Sequence, residues 1–413
     1  MSVDERVPAI SRSVGWTASG NLVFALSQWL IISITAKLAG ATALGHFTLA
    51  AAVTAPVLAL SQLQLRAVLA TDARYEYRFG DYVRGRLWPT LGMLVLTPLA
   101  AAAWGMSGQP LAVLSAFILA KAFDSGSDVL FGYHQRRENM RVIAVGQFIN
   151  GSASVALFGV VLAVTNSLPL ATMGYACASA LTLAAWAIPV SLRARRTDRE
   201  DPGGQPRAVW SLIRIAAPLG AVMVLAGLAA NVPRYAVQWT LGEYELGIFG
   251  GISYIVLVGT NFMSAVGQAA SPRLAKLFAS GQRAAFLRLL RTLILLAAGS
   301  AVVGTIASVL WGAPLLRWVY GPEFADRASI LAFLAIAAVF AFPASILAVA
   351  ATAVRRFKQQ LPVFAVVLML GAIGAWQLIP AYGLEGAAFV TGVMGLAQAV
   401  GCGTLVAMAL RRE

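Results

Sequence analysis

The sequence predicts an all-α polytopic membrane protein with about twelve transmembrane helices. Of the 413 residues, 59% are hydrophobic and 12% are charged, whereas soluble domains average about 45–50% and 25%. The apolar residues fall into blocks of about twenty, which as helices cross a hydrocarbon core about 30 Å thick. Lipid cannot satisfy the hydrogen bonds of an open backbone, so these blocks are expected to be helical.

Twelve apolar blocks separated by polar breaks are predicted to span the membrane. In the first half of the chain they cover residues 14–36, 43–65, 87–107, 110–131, 142–164 and 168–191. In the second half they cover residues 211–239, 246–269, 289–311, 327–353, 361–380 and 384–410.

The basic residues predict the orientation of these helices. Of the 31 Lys and Arg residues, 25 lie on the side that holds both termini, three lie on the other side and three lie within predicted helices. Cytoplasmic loops carry the excess of Lys and Arg, so both termini are expected in the cytoplasm. This distribution also accounts for the net charge of +14. The cationic loops lack the interleaved aromatic residues of a base-stacking surface, so no nucleic-acid partner is expected.

One cytoplasmic loop has two interpretations. The segment 273–291 places Leu274, Leu277 and Phe278 on one side and cations on the other. This pattern is typical of a helix lying in the membrane interface on anionic lipid. The alternative is a solvated loop whose cations only follow the positive-inside bias.

The linker-like segment 193–207 lies near the midpoint and suggests an internal repeat. The turn ALGHF at 43–47 matches ELGIF at 245–249 in the second half. We therefore expect two pseudo-symmetric six-helix lobes, residues 1–200 and 201–413, around a central cavity.

Six segments of the chain resemble a known family of membrane transporters. These segments are residues 44–74, 121–140, 241–255 (LGEYELGIFGGISYI), 271–291, 319–334 (VYGPEFADRASILAFL) and 382–392 (YGLEGAAFVTG). They are similar to O-antigen and exopolysaccharide flippases of the multidrug/oligosaccharidyl-lipid/polysaccharide exporter superfamily.

The resemblance implies that the chain flips a lipid-linked oligosaccharide across the cytoplasmic (inner) membrane by alternating access. The substrate would be a polyprenyl-pyrophosphate-linked sugar, and polysaccharide polymerase or assembly proteins are candidate partners beside the lipid bilayer. No catalytic motif and no cofactor are implied. A multidrug or small-metabolite antiporter of the same fold is the alternative. A membrane enzyme is disfavoured because the longest outer loop, about 312–326, is short.

Charged residues inside the fourth predicted helix are candidates for substrate binding or ion coupling. Lys121, Asp124 and Asp128 follow one another at i, i+3 and i+7 and share a helical stripe. Each charge costs about 2.5–3.5 kcal/mol at the centre of a membrane helix. The stripe is interpreted as an ion-paired packing surface, as a cavity surface on which Lys121 attracts pyrophosphate or an acidic sugar, or as a titrating site. The third interpretation assumes that one carboxylate has no cationic partner.

Three further polar residues are candidates. Arg234 follows Pro233 in the seventh helix and is expected either to line a cavity near a kink or to extend to the headgroup level. Asn21 and Gln28 share a face of the first helix and are expected either to bind sugar hydroxyls or to join helices. The two histidines, His46 and His134, lie apart from other ligand types, so no metal site is expected.

Overall fold

The computed structural model describes residues 3–71, 77–196, 209–356 and 359–412, and these residues form helices joined by short turns, without a strand. The first seven α-helices are α1 Val3–Gln62, α2 Leu65–Thr71, α3 Phe79–Ala103, α4 Gly108–Arg136, α5 Met140–Thr165, α6 Leu168–Thr182 and α7 Ile188–Arg196. The other six are α8 Val209–Leu241, α9 Glu243–Ala279, α10 Arg283–Val319, α11 Pro322–Ala325, α12 Ala328–Ala353 and α13 Gln360–Arg412.

Two of the long helices each contain two predicted spans. The backbone of α1 leaves the helical region at Gly40, with φ 81° and ψ 178°. That of α13 does so at Gly383, with φ 58° and ψ −135°. Glycine adopts positive φ angles without the steric cost that other residues incur. These two sites divide the helices at the predicted breaks between the first and second and between the eleventh and twelfth spans.

Within the described ranges, nine helices are long and apolar enough to cross a membrane, by length and composition. Helix α4 is not one of them, since its stripe of charged residues lowers its hydropathy. The sixth predicted span consists of α6, a π-helical turn at Leu183–Ala187 and α7. The prediction of an all-α, multi-pass membrane protein is confirmed.

The chain forms two compact units. Unit 1 consists of Met1–Ala39 and Val53–Ala221, and unit 2 consists of Gly40–Ala52 and Val222–Glu413. The middle of α1 thus belongs to unit 2, whereas its flanks belong to unit 1. The predicted lobe boundary between residues 200 and 201 lies outside the described residues and stays a prediction.

Each unit has its own apolar core. One core of unit 1 is formed by α2, α3, the end of α4 and the start of α8, with Leu65, Leu69, Tyr82, Tyr133 and Leu212 fully buried. The main core of unit 2 is formed by α9, α10, α12 and the end of α13.

Both interpretations of segment 273–291 are wrong. The segment continues α9 and begins α10, each 37 residues long, or about 55 Å at 1.5 Å per residue. Leu274 and Phe286 are fully buried and belong to the same core as Val354 and Val406. The buried residues of this helical hairpin therefore pack in the core of unit 2.

Candidate functional site

A cavity of about 190 Å³ lies inside unit 2. Its wall is mostly apolar, but five polar side chains from α8, α9 and α13 also line it. These are Arg234, Ser253, Thr260, Thr391 and Gln398. Among the described lining residues, Arg234 is the single charged one.

Arg234 is held in the cavity wall by its own helix. Its Nη1 atom donates to the Oδ1 atom of Asn231 at 2.8 Å, and Asn231 donates in turn to the carbonyl oxygen of Gly227. The structure records no carboxylate within ion-pair distance of the Arg234 guanidinium in the described part of the chain. The group is thus a cation on a cavity surface, where a buried charge without a counter-ion is costly.

The hydroxyl groups of the cavity are oriented by backbone carbonyls. Ser253, Thr260 and Thr391 each donate to a carbonyl oxygen three or four residues earlier in their own helix. A hydroxyl group that donates once retains oxygen lone pairs as acceptors. The cavity therefore offers one cation and several hydrogen-bond acceptors in an otherwise apolar wall.

A second polar group, in unit 1, is built around Lys121. The Lys121 Nζ atom donates to Asp124 Oδ2 at 3.1 Å and to the hydroxyl oxygen of Tyr175 at 2.5 Å. The Tyr175 hydroxyl also donates to Asp124 Oδ2, at 3.2 Å. Asn150 donates to the other carboxylate oxygen of Asp124 at 2.9 Å. The network joins α4, α5 and α6, and we name it the Lys121 network.

Aromatic and polar side chains enclose the Lys121 network. The ammonium group lies 5.3 Å from the ring centre of Phe117 and 6.0 Å from that of Phe24 on α1. The side chains of Lys121 and Asp124 are only 14% and 17% exposed. Such an enclosed, fully paired arrangement agrees with the interpretation of the stripe as an ion-paired packing surface.

Sequence reasoning missed Asn150 and Tyr175. Asn150 is a polar residue within an apolar predicted span. The same feature made Asn21 a candidate, so Asn150 could have been found from the sequence. Tyr175 gives no such signal, because tyrosine is frequent in membrane helices.

The carboxylate of Asp128 pairs with residues other than Lys121. Its two oxygens accept from Arg66 Nη1 at 3.0 Å and from Arg86 Nη2 at 2.6 Å. The expectation that one of the two carboxylates has no cationic partner is therefore wrong. Two arginines from the predicted cytoplasmic loop 66–86 supply the partners, over separations of 62 and 42 residues.

Asn21 and Gln28 have different surroundings in unit 1. The Oδ1 atom of the exposed Asn21 accepts from Gln147 of α5 at 3.1 Å, a bond that joins two helices. Gln28 lies beside the Tyr175 hydroxyl of the Lys121 network. Its Nε2 atom is buried without a hydrogen-bond partner.

Comparisons with known proteins show what the sequence and the fold of this chain resemble. No protein-family model matches the chain. It is 23% identical over 371 residues to the capsular polysaccharide biosynthesis protein CapF of Staphylococcus aureus, covering 89% of this chain and 92% of that protein.

Solved structures give the fold. The lipid II flippase MurJ, in an inward closed conformation, matches with a TM-score of 0.73 and 13% identity over 94% of this chain and 86% of that one. A multidrug resistance MATE family transporter in an inward-facing conformation matches with a TM-score of 0.70 and 11% identity over 94% of each chain. A MOP superfamily transporter from Pyrococcus furiosus matches with a TM-score of 0.67 and 13% identity over 98% and 95%.

The chain therefore shares the fold of these solved structures. The fold expected from the sequence resemblance is confirmed.

Proposed function

We propose that the chain flips an anionic, sugar-bearing lipid across the cytoplasmic membrane by alternating access, with both termini in the cytoplasm. The proposed substrate is a polyprenyl-pyrophosphate-linked oligosaccharide, handed on to polysaccharide polymerase or assembly proteins. The names of CapF and of the lipid II flippase support this substrate class.

The observation that carries the proposal is the charge of the cavity in unit 2. Its lining, as far as the structure describes it, holds the Arg234 guanidinium and no carboxylate. Such a wall attracts a pyrophosphate and repels a cationic compound, since the Coulomb interaction is strong where water is scarce. Arginine also presents planar N–H donors that match phosphate oxygens. The hydroxyl oxygens of Ser253, Thr260 and Thr391 would accept hydrogen bonds from sugar hydroxyl groups.

For the Lys121 network we propose a supporting role in unit 1. Lys121, Asp124, Tyr175 and Asn150 tie α4, α5 and α6 together, so that the three helices move as one body during the transport cycle. In this proposal Asn21 joins helices in the same way, and Gln28, which lies beside the Tyr175 hydroxyl group, adds to the polar surroundings of the network.

The alternative function is a multidrug or small-metabolite antiporter, which the fold likeness to the MATE transporter favours. The two functions differ in the charge of the substrate. A carrier of cationic drugs is expected to place a carboxylate in its cavity, and the described lining of this cavity contains none.

A genetic experiment tests the proposal. Deleting the gene should cause a polyprenyl-linked sugar to accumulate facing the cytoplasm, and the unaltered gene should reverse this. Arg234→Ala should fail to rescue and Arg234→Lys should rescue in part. Arg317→Ala, at an exposed arginine remote from the cavity lining, is the matched control and should rescue fully. An unchanged lipid-linked sugar pool in the deletion strain would refute the proposal.

A further inference from the structure

Arg66, Arg86 and Asp128 form a second charged cluster in unit 1, which the proposed function does not use. The Asp128 carboxylate is shared by the two guanidinium groups, at 3.0 Å from Arg66 and 2.6 Å from Arg86. Arg66 also donates through Nε to the side-chain oxygen of Gln135 at 2.8 Å. We name these three charged residues the Asp128 cluster.

The Asp128 cluster is deficient in negative charge. Among the described residues, the ion pairs of the cluster join two guanidinium groups to one carboxylate, so two cations share one anion. The side chain of Arg86 is only 3% exposed. Removing a charge from water without a full complement of partners is costly, and the cost falls when a counter-ion binds.

Two nitrogen atoms of the Arg86 guanidinium lack a hydrogen-bond partner. Its Nη2 atom bonds to Asp128, but its Nε and Nη1 atoms are buried and have no hydrogen-bond partner. Buried polar groups in proteins are almost always paired. The geometry therefore leaves N–H groups in a positively charged environment, which is the requirement for binding an anion.

The cluster is accessible from one side. The side chains of Arg66 and Asp128 are 31% and 24% exposed, whereas that of Arg86, which bonds to Asp128, is 3% exposed. Gly132 allows this arrangement, since a Cβ atom there would lie 3.3 Å from Cγ of Arg66 and 3.4 Å from its Cα. The small residue thus lets α2 approach α4 closely enough for Arg66 to reach Asp128.

We propose that Arg86, together with Arg66, binds a phosphate group in unit 1, at a site separate from the cavity of Arg234. Two guanidinium groups with N–H donors in fixed planes match the several oxygen atoms of a phosphate. The phosphate belongs either to an anionic lipid headgroup, since α2 and the start of α3 lie at the predicted cytoplasmic surface, or to free phosphate. This inference does not depend on the proposed function.

Thermal unfolding of the purified full chain tests the site. Inorganic phosphate is titrated in neutral detergent at constant ionic strength, with gluconate as the balancing anion. In a second arm, nanodiscs of phosphatidylcholine alone are compared with nanodiscs that also contain phosphatidylglycerol. We expect a saturable rise of the midpoint of roughly 2–4 °C in at least one arm. The arm that responds identifies the source of the phosphate.

Two substitutions should change the response to phosphate in opposite directions. Arg86→Met leaves the neutral Arg66–Asp128 pair and should abolish the rise. Asp128→Asn removes the competing carboxylate and should produce the rise at several-fold lower phosphate concentration. Arg84→Met is the matched control, since this side chain on the same helix is 70% exposed, and it should leave the rise unchanged. If Arg86→Met does not fold, Asp128→Asn and Arg86→Lys, which should weaken the response, decide the question.

Two results would overturn the inference. One is the absence of a rise in both arms for the unaltered chain, which would mean that water alone satisfies Arg86. The other is an equal loss in Arg84→Met and Arg86→Met, which would mean that the response reflects general surface charge.

Discussion

The ammonium group of Lys121 and the carboxylate of Asp124 form an ion pair of 3.1 Å within a single turn of α4. Asn150 of α5 and Tyr175 of α6 complete the hydrogen bonds of this carboxylate. A charge pair inside a membrane protein is tolerated when its remaining donors and acceptors are satisfied. The hydrogen bonds of the pair with Asn150 and Tyr175 therefore join three helices of unit 1.

Asp124→Asn should destabilise the protein by about 3 kcal/mol, because it leaves the enclosed Lys121 ammonium without an anion. Equilibrium unfolding in mixed lipid–detergent micelles measures this loss. The double variant Lys121→Met/Asp124→Leu should recover most of the stability, since it removes both charges. Asp124→Asn with unchanged stability would show that the network does not support the unit.

Asn150→Ala should reduce the free energy of unfolding by about 1–3 kcal/mol, since it leaves buried hydrogen-bonding groups unpaired. Asn150 donates to Asp124 and accepts from Ser154 and Ser179. Asn21→Ala is the matched control, because Asn21 has one exposed bond and its loss should cost about 1 kcal/mol or less. Equal losses in the two variants would contradict the account.

Gly247→Ala should impair folding of unit 2. A Cβ atom at Gly247 would lie 1.8 Å from the carbonyl oxygen of Ala41, so the middle of α1 would have to move away from α9. Gly299→Ala, in an open position of α10, should be neutral or stabilise by up to about 1 kcal/mol. Yield of monodisperse protein and the thermal midpoint are the measurements. Normal yield and midpoint for Gly247→Ala would show that this close approach is dispensable.

Stability should decrease in acid partly through His134, which lies in the last turn of α4, beyond the predicted span. Burial, and then the charge of Arg137, lower the pKa of His134 from 6.5 to about 4. A lowered pKa in the folded state means that stability is full above about pH 6.5 and is lost as the pH falls towards 4, because the unfolded chain takes up the proton first. His134→Gln should flatten the dependence of the thermal midpoint on pH in this window. An identical pH profile for the variant would exclude the contribution.

The helices were predictable because an uninterrupted hydrophobic block of membrane length forms a helix in lipid. Even the breaks at Gly40 and Gly383 coincide with predicted boundaries. Segment 273–291 was mispredicted for a physical reason. A one-sided apolar pattern shows that a face is buried, but not whether lipid or protein covers it, and here Leu274 and Phe286 pack in the core of unit 2.

The sequence identified the candidate residues of the site, but not all of the side chains that pair with them. The cost of charge in the membrane singled out Lys121, Asp124, Asp128 and Arg234. The Lys121–Asp124 pair follows from helical spacing, but the arginine partners of Asp128 follow from tertiary packing, which local spacing does not reveal. Arg86 was counted as a cation of a cytoplasmic loop, yet it is almost fully buried against Asp128.

Transport of an anionic amphiphile through the cavity of Arg234 can be measured directly in proteoliposomes. A fluorescent polyprenyl-pyrophosphate sugar is placed in one leaflet, and its appearance in the other is followed with a membrane-impermeant quencher. The chain should accelerate this transfer at least tenfold over empty liposomes, Arg234→Lys should retain part of the rate, and Arg234→Ala should lose it. Transfer of a cationic compound with no transfer of the pyrophosphate lipid, or full transfer by Arg234→Ala, would contradict the account.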